Sequence, residues 1–284
     1  MTGKISEITD HVHAADGTRL FFRRVRVESP RAGLLIAHGL GEHSGRYARL
    51  AEGLAAMGIP VFSFDHRGHG QSDGKRGHIR HFGEYTNDLD QMIDRSRHAL
   101  PEGVPLFLLG HSMGGVIALV YAAEHGDKID GMVVSSPGLA PVSPPSAPRL
   151  ALARLMSTVF PFLTFDNNLD PQMLSHDPNT VNAYIEDPLV HRRISARWVT
   201  SFLAAGRKAM DDAPRIKTPI LMQIAGDDRI VSPEASRRFF KKLGSADKTL
   251  RVYKYLFHEI YNEKKQHRKQ VIRDLESWIK DHAQ

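Results

Sequence analysis

Residues 109–115 read LGHSMGG, a G-x-S-x-G element centred on Ser112. An apolar run, VPLFLL at 104–109, precedes it, and a helix-compatible run, VIALVYAA at 116–123, follows it. This order of strand, sharp turn and helix is the context that a nucleophile elbow requires. Glycines flank the serine because the turn strains its backbone and leaves no room for neighbouring side chains. The pattern predicts a nucleophilic Ser112 at a helix N-terminus, where an oxyanion is stabilised. The alternative is a glycine-rich turn with a solvated serine.

The composition of the chain is that of a soluble globular protein. Its 284 residues are 41% hydrophobic and 25% charged, which provides core for one large domain or for one domain with an insertion. The chain has no cysteine, so disulfides, cysteine-ligated zinc and thiol catalysis are excluded. No apolar run approaches ~18 residues and the first residues lack the apolar region of a signal peptide, so we expect a cytoplasmic protein.

The charge balance is basic, with a formal net charge of +6 at pH 7. Lysine and arginine are scattered, with a denser zone at 237–280. A solvated basic surface is the ordinary interpretation, and attraction to anionic lipid headgroups is the alternative. No nucleic-acid-binding motif is present, so no nucleic acid partner is expected.

Strands and helices alternate along most of the chain. Strands are predicted at 8–27 (two strands around a turn at 16–17), 33–38, 60–64, 104–109, 131–135, 219–225 and 250–255. Helices are predicted at 45–57, 83–99, after Ser112, and at 233–243 and 266–282. This alternation indicates an α/β fold with a mostly parallel central sheet and helices on both faces.

The alternation is interrupted between about 139 and 205, in a segment that opens with several prolines and contains no predicted core strand. An insertion at the carboxyl ends of the strands would lie over the ligand site. We therefore expect an α/β core at 1–138 and 206–284 with a helical cap at 139–205. The apolar stretch 150–163 is interpreted as packing against the core. The alternative is a lid face that accepts an acyl chain or touches a membrane.

A serine hydroxyl becomes a nucleophile when a base removes its proton, and the base needs an acid to orient it. With a nucleophile elbow, the chain order is serine, acid, histidine. Two segments follow predicted strands downstream, AGDDR at 225–229 and the loop that contains His258. We predict His258 as the base and Asp228 as the acid, because Asp228 lies two residues before the apolar pair at 230–231. Asp227 is the alternative acid.

An oxyanion hole needs two backbone N–H groups. Met113 supplies one, because it directly follows the candidate nucleophile. Leu40 is the predicted second donor, since it lies in the loop HGLGEH at 38–43, where glycines on both sides let the backbone turn toward a substrate.

Histidine pairs at 66/69 and 78/81 have spacings that suggest metal binding. No H-E-x-x-H motif accompanies them, and no nearby acidic residue completes a ligand set. We therefore interpret them as surface or loop histidines and predict no metal site. The serine chemistry predicted above uses no cofactor either.

The chain resembles the monoacylglycerol lipase and lysophospholipase branch of the α/β-hydrolases. The matching motifs are HGLGEHSGRY at 38–47, DHRGHGQS at 65–72, GHSMGG at 110–115, DPL at 187–189, DR at 228–229, HEI at 258–260 and NE at 262–263. They span most of the chain, and the 139–205 segment matches least. The resemblance implies an α/β-hydrolase fold with the triad Ser112, Asp228 and His258 and the oxyanion donors Leu40 and Met113.

The resemblance also implies a polar end of the site that holds a glycerol group, formed by Glu42, Arg46 and the cap residue Tyr184. One departure concerns Leu40, where the family often has a smaller residue, so the acyl entrance is expected to have its own shape. The cap lacks the cysteines of some animal members, so thiol-based inhibition is not expected.

The sequence thus predicts a cofactor-free serine hydrolase of carboxylic esters, with monoacylglycerols as the favoured substrates. A lysophospholipase and a general carboxylesterase are the nearest alternatives. A peptidase would need Glu186 or Asp187 to anchor the substrate amine. A non-catalytic binding protein on a hydrolase scaffold is the remaining alternative. The expected partner is a small lipid ester, with transient contact between the cap and a membrane surface.

Overall fold

The computed structural model describes residues 6–283, so residues 1–5 and 284 of the predicted core ranges lie outside the described part. An eight-stranded sheet runs through the described residues. Its strands are β1 (Ser6–His13), β2 (Arg19–Arg26), β3 (Gly33–Ala37), β4 (Val61–Phe64), β5 (Leu106–His111), β6 (Gly131–Ser135), β9 (Ile220–Ala225) and β10 (Lys248–Tyr253). They lie side by side in the order β1-β2-β4-β3-β5-β6-β9-β10. A separate antiparallel ribbon pairs β7 (Thr164–Asp166) with β8 (Arg193–Ser195).

Strands β3 to β6, β9 and β10 pair in parallel, while β1 and β2 extend the sheet in antiparallel fashion. The predicted α/β class with a mostly parallel sheet is confirmed. The helices are α1 (Ala48–Ala55), α2 (Gly83–His98), α3 (Met113–His125), α4 (Ala147–Val159), α5 (Pro178–Glu186), α6 (Ala196–Asp212), α7 (Pro233–Lys242) and α8 (Lys265–His282).

Both faces of the sheet are covered, because the central strands are apolar along their whole length. Side chains of β5 alternate between the two layers. Leu106 and Leu108 join the core under α2 and α3, whereas Phe107 and Leu109 join the core under α1 and α8. Helix α3 is apolar on all sides and buried, so it is fixed between the sheet and its neighbouring helices. This rigid helix begins where the candidate nucleophile lies.

Several predicted boundaries shift by one or two residues, as expected where helix and strand ends fray. The predicted helix at 45–57 divides into a 3-10 turn at Ser44–Tyr47 and α1. The predicted strand at 250–255 is found at Lys248–Tyr253.

The 139–205 segment contributes α4, α5, the β7–β8 ribbon and most of α6. The predicted boundary at 205 falls inside α6, because this helix continues and buries Ala205 and Ala209 in the core with α3. The interpretation that 150–163 packs against the core is wrong for most of its large apolar side chains, which are exposed. No helix within residues 6–283 is long and apolar enough to cross a membrane.

Candidate active site

Ser112 lies on a strained turn between β5 and α3, with φ of 50° and ψ of −110°. Such a backbone conformation is costly for a residue with a side chain and marks a nucleophile elbow. The flanking glycines are sterically required. A Cβ on Gly110 would lie 2.5 Å from the carbonyl oxygen of Gly114, and a Cβ on Gly114 would lie 2.1 Å from that of Ala37. The turn is held by a hydrogen bond of 3.0 Å from the Ser112 N–H to the Ser135 carbonyl.

A buried acid–base pair lies at the ends of two other segments. His258 Nδ1 and Asp228 Oδ2 are 2.7 Å apart, and both side chains are almost completely buried. Asp227 instead points outward, where its half-exposed carboxylate pairs with Arg229 at 3.1 Å. Of the two acids that the sequence offered, the structure therefore brings Asp228 to the candidate base.

The other oxygen of Asp228 is held by the backbone. Its Oδ1 accepts hydrogen bonds from the N–H groups of Ile230 at 2.9 Å and Val231 at 3.0 Å. Burial by itself raises the pKa of Asp228, but His258 and these hydrogen bonds lower that pKa below its ordinary value. Burial by itself lowers the pKa of His258, but the Asp228 carboxylate outweighs burial and raises that pKa. The buried Asp228 carboxylate thus favours the protonated form of His258.

This raised pKa has a testable consequence for activity. A general base works in its neutral form, so kcat/KM for an uncharged ester should rise with pH through an apparent pKa above the ordinary histidine value of 6.5. Below that pKa, kcat/KM should fall about tenfold per pH unit. The measurement is a pH profile with a soluble p-nitrophenyl ester. A midpoint below the ordinary value would show that Asp228 does not control the base.

Ser112 and His258 line one cavity of about 240 Å³. Among the described residues, the side chains of Ser112 and His258 line this cavity without a hydrogen bond between them. The walls above them are apolar and come from the 139–205 segment. These walls consist of Leu169, Leu174, Ile194, Trp198, Phe202 and Leu203.

The loop after β3 runs beside the candidate nucleophile. A Cβ on Gly39 would lie 3.4 Å from the Cβ of Ser112, and both Leu40 and Met113 line the same cavity. Gly41 has a φ of 77°, and its carbonyl accepts a 2.9 Å hydrogen bond from the N–H of His191 in the 139–205 segment. The structure thus places both predicted oxyanion donors at the cavity wall, and their role stays a prediction.

The three predicted glycerol-binding residues lie together beside the cavity. Arg46 donates to Glu42 at 2.9 Å, and its guanidinium lies 4.8 Å from the ring centre of Tyr184. Glu42 and Tyr184 line the cavity, whereas Arg46 lies behind them and lines a separate surface cleft. We therefore expect Arg46 to position carboxylates rather than to touch a substrate.

Sequence reasoning missed a role for Glu259, although it quoted this residue beside His258. Glu259 lines the cavity and accepts two hydrogen bonds from Arg46, at 2.5 and 2.8 Å. A signal was present, because a carboxylate directly after a candidate base in a buried loop requires a partner. The stacked pair Trp198 and Phe202 was also missed, although its spacing of four residues is that of neighbours on a helix face.

The histidines do not form a metal centre in the described part of the chain, where no group of three or more suitable side chains could hold an ion. His111 packs against the site instead. Its ring lies 4.8 Å from that of His258, and burial lowers its pKa to about 3, so it is neutral.

A serine on a strained turn and a buried Asp–His pair at the carboxyl edge of a parallel sheet define the serine-hydrolase class of α/β-hydrolases. A family model described as Serine aminopeptidase, S33 (Hydrolase_4) matches residues 28–265. The chain belongs to this family and, within it, to the monoglyceride lipases, which confirms the resemblance inferred from the motifs.

Three similar proteins show the extent of this relationship. The monoacylglycerol lipase of Mycolicibacterium smegmatis is 35% identical over 89% of this chain and 89% of its own length. The crystal structure of the Paleococcus ferrophilus monoacylglycerol lipase superposes with a TM-score of 0.84 at 39% identity, over 93% of this chain and 99% of that one. An abhydrolase domain-containing protein of Dictyostelium discoideum is 35% identical over 99% of this chain, which spans 29% of that longer protein.

Proposed function

We propose that this chain hydrolyses monoacylglycerols to glycerol and a fatty acid through an acyl-enzyme on Ser112. The observation that carries the proposal is the buried Asp228–His258 pair at 2.7 Å, which shares an apolar cavity with a serine on a strained elbow. The relatives named as monoacylglycerol lipases support the choice of substrate.

In the proposed mechanism, His258 takes the proton of Ser112 while the serine oxygen attacks the ester carbonyl carbon. The negative charge that develops on the carbonyl oxygen is stabilised by the N–H groups of Leu40 and Met113. His258 then protonates the leaving glycerol oxygen. In the second half, His258 deprotonates a water molecule whose oxygen attacks the acyl carbon. His258 then returns this proton to the Ser112 oxygen as its bond to the acyl carbon breaks and the fatty acid leaves. Asp228 holds the histidine tautomer and stabilises its cation throughout.

The 139–205 segment is proposed as the cap that shapes the substrate cavity. Its apolar walls suit an acyl chain, because they replace water around the chain with apolar side chains. Glu42 and Tyr184, which line the same cavity, offer polar atoms to the hydroxyl groups of glycerol. The cavity therefore matches a molecule with one apolar chain and one compact polar head.

The function is tested with a monoacylglycerol and a lysophospholipid that carry the same acyl chain, by measuring glycerol and fatty acid release. We expect glycerol release from the monoacylglycerol. If Ser112 reacts with a fluorophosphonate but the monoacylglycerol stays intact, the protein is a serine hydrolase with another substrate.

The acids suggested for a peptidase do not support that alternative. Neither Glu186 nor Asp187 lines the cavity that contains Ser112. Asp187 instead pairs with His43 at 2.8 Å and so joins the 139–205 segment to the loop after β3.

We propose further that the cap contacts a membrane surface during substrate uptake. Six large apolar side chains on α4 and the loop after it are 54–60% exposed, namely Leu152, Leu155, Val159, Phe160, Phe162 and Leu163. Arg149 lies on the same helix next to this apolar face, so its positive charge would add attraction to anionic lipids to the apolar insertion.

The double substitution Leu155→Ser with Phe162→Ser should reduce binding to anionic vesicles roughly tenfold or more, because two apolar side chains no longer insert. Hydrolysis of monoacylglycerol in vesicles should fall accordingly, while turnover of a short, dissolved ester should be unchanged. Met57→Ser, at an exposed apolar position on the core, is the matched control. Unaltered vesicle binding in the double variant would rule out this face.

A further inference from the structure

We infer that the polar wall formed by Glu42, Tyr184 and Glu259 selects the alcohol group of the substrate by charge, with Glu259 as a specificity-determining residue. It accepts a neutral polyol and rejects a headgroup that carries phosphate. This inference rests on the proposed ester hydrolysis at Ser112 and narrows its substrate class to neutral esters.

The ionisable groups that line the cavity carry the inference. Glu42 and Glu259 both line it and are only 3% and 5% exposed. Within the described residues, no lysine or arginine lines the cavity. A phosphate that entered would meet two buried carboxylate groups and no free cation. Burying an anion without a countercharge is strongly unfavourable.

One guanidinium, that of Arg46, serves both carboxylates. It donates through Nη1 to Glu42 at 2.9 Å and to Glu259 at 2.5 Å, and through Nη2 to Glu259 at 2.8 Å. Arg46 lies behind the carboxylates as seen from the cavity, and these N–H groups donate to the carboxylates rather than toward the cavity. With both acids ionised, the three side chains carry one net negative charge.

Proton uptake by one of the two carboxylates would remove this net negative charge. Glu42 accepts from the N–H of Gly39 at 2.6 Å and the hydroxyl of Tyr47 at 2.8 Å, as well as from Arg46. Burial and the nearby Glu259 nevertheless raise the pKa of Glu42, whereas Arg46 outweighs burial at Glu259 and lowers its pKa. Uptake of a proton by Glu42 brings the group to zero charge, so the group is never cationic near neutral pH.

The surrounding side chains supply no compensating charge. His111 is neutral, because burial lowers its pKa to about 3. His258 is balanced by Asp228 at 2.7 Å. Burial raises the pKa of Tyr184, and the positive charge of Arg192 opposes that increase. Arg192 is exposed, however, and pairs with Asp166 at 3.1 Å.

Neutral hydroxyl groups fit the same polar wall of the cavity. The Tyr184 hydroxyl is buried, and it has no hydrogen-bond partner among residues 6–283. A polyol offers donors to the carboxylates and both donors and acceptors to this hydroxyl, whereas an ionised phosphate offers mainly acceptors. The arrangement therefore favours the binding of hydroxyl groups and disfavours the binding of anions. Specificity arises from such a difference in affinity.

The test compares a monoacylglycerol with its glycerol-phosphate counterpart, both with the same short acyl chain so that they stay dissolved. We expect kcat/KM for the neutral ester to be roughly 100-fold higher than for the anionic one. The reason is that the net negative charge of the Glu42–Arg46–Glu259 group repels the phosphate at close range. Glu259→Gln should reduce this ratio to about tenfold or less, chiefly because kcat/KM for the anionic substrate rises.

Glu263→Gln is the matched control. Glu263 is a buried carboxylate four residues along the same loop, where it accepts from the N–H of Phe257 at 3.0 Å and does not line the cavity. This variant should keep the wild-type ratio even if both rates fall. If Glu259→Gln also lowers both rates by one factor and leaves the ratio unchanged, its role is structural and the inference is overturned.

A second assay separates this inference from the proposed function. A p-nitrophenyl ester acylates Ser112 without any alcohol headgroup, and glycerol or glycerol 3-phosphate is then offered as the acyl acceptor. Transfer to glycerol alone supports charge selection even if monoacylglycerol proves not to be a substrate. Hydrolysis of monoacylglycerol with equal transfer to both acceptors keeps the proposed function and overturns charge selection.

Discussion

Ser112→Ala is expected to lower kcat for monoacylglycerol hydrolysis by roughly 10⁶-fold, as removal of the nucleophile does in other enzymes with a serine, histidine and aspartate triad. Alanine keeps the Cβ on a residue with a φ of 50°, so the elbow and its strain stay the same. The loss then reports the hydroxyl itself. What activity remains should come from the oxyanion donors and substrate binding.

The measurement combines steady-state hydrolysis with covalent labelling by a fluorophosphonate, which should mark the wild type and leave Ser112→Ala unmarked. Ser143→Ala, at an exposed serine early in the 139–205 segment, controls for loss of a hydroxyl elsewhere. Near-normal turnover by Ser112→Ala would refute the proposed nucleophile. If the fluorophosphonate still labels Ser112→Ala, the reactive serine lies elsewhere in the chain.

Asp228→Asn should lower kcat by about 10⁴-fold, whereas Asp227→Asn should cost less than about tenfold. Asparagine preserves the shape and can still accept the two backbone hydrogen bonds at Oδ1. Its amide group, however, donates toward His258 Nδ1, which selects the wrong tautomer and removes the charge that stabilises the imidazolium. Asp227 is an exposed partner of Arg229, and exposed ion pairs contribute little.

The two asparagine variants are compared at several pH values with one dissolved ester. In Asp228→Asn, the remaining activity should follow a base whose pKa is lower than in the wild type, because burial then acts without the opposing carboxylate. Equal or reversed losses in the two variants would transfer the role of orienting acid to Asp227.

The sheet and its helices were predictable because their signals are local. An apolar strand and a fully apolar helix flank Ser112, and Gly110 and Gly114 mark the close contact between them. Short-range sterics decide such a turn, so its residues identify it wherever it occurs in a chain. Strand ends and the division of the helix at 45–57 did not follow from the local pattern, because end residues depend on neighbours outside it.

The acid and base were predictable as types and as an order along the chain. The choice between Asp227 and Asp228 depends on which side chain turns inward after β9, and the structure turns Asp228 toward His258. The roles of these residues stay predictions until the substitutions above are measured.

The sequence by itself determined the α/β class, the elbow and the candidate triad, since each is written in a few adjacent residues or in their order. Only the tertiary structure decided the exposure of 150–163, the course of α6 past 205, and the meeting of Arg46 with Glu259. Arg46 and Glu259 are 213 residues apart in sequence. Arg46 follows β3 and Glu259 follows β10, and the two side chains meet because both strands end at the same edge of the sheet. Contacts of this kind depend on how whole elements pack, and no local pattern encodes them.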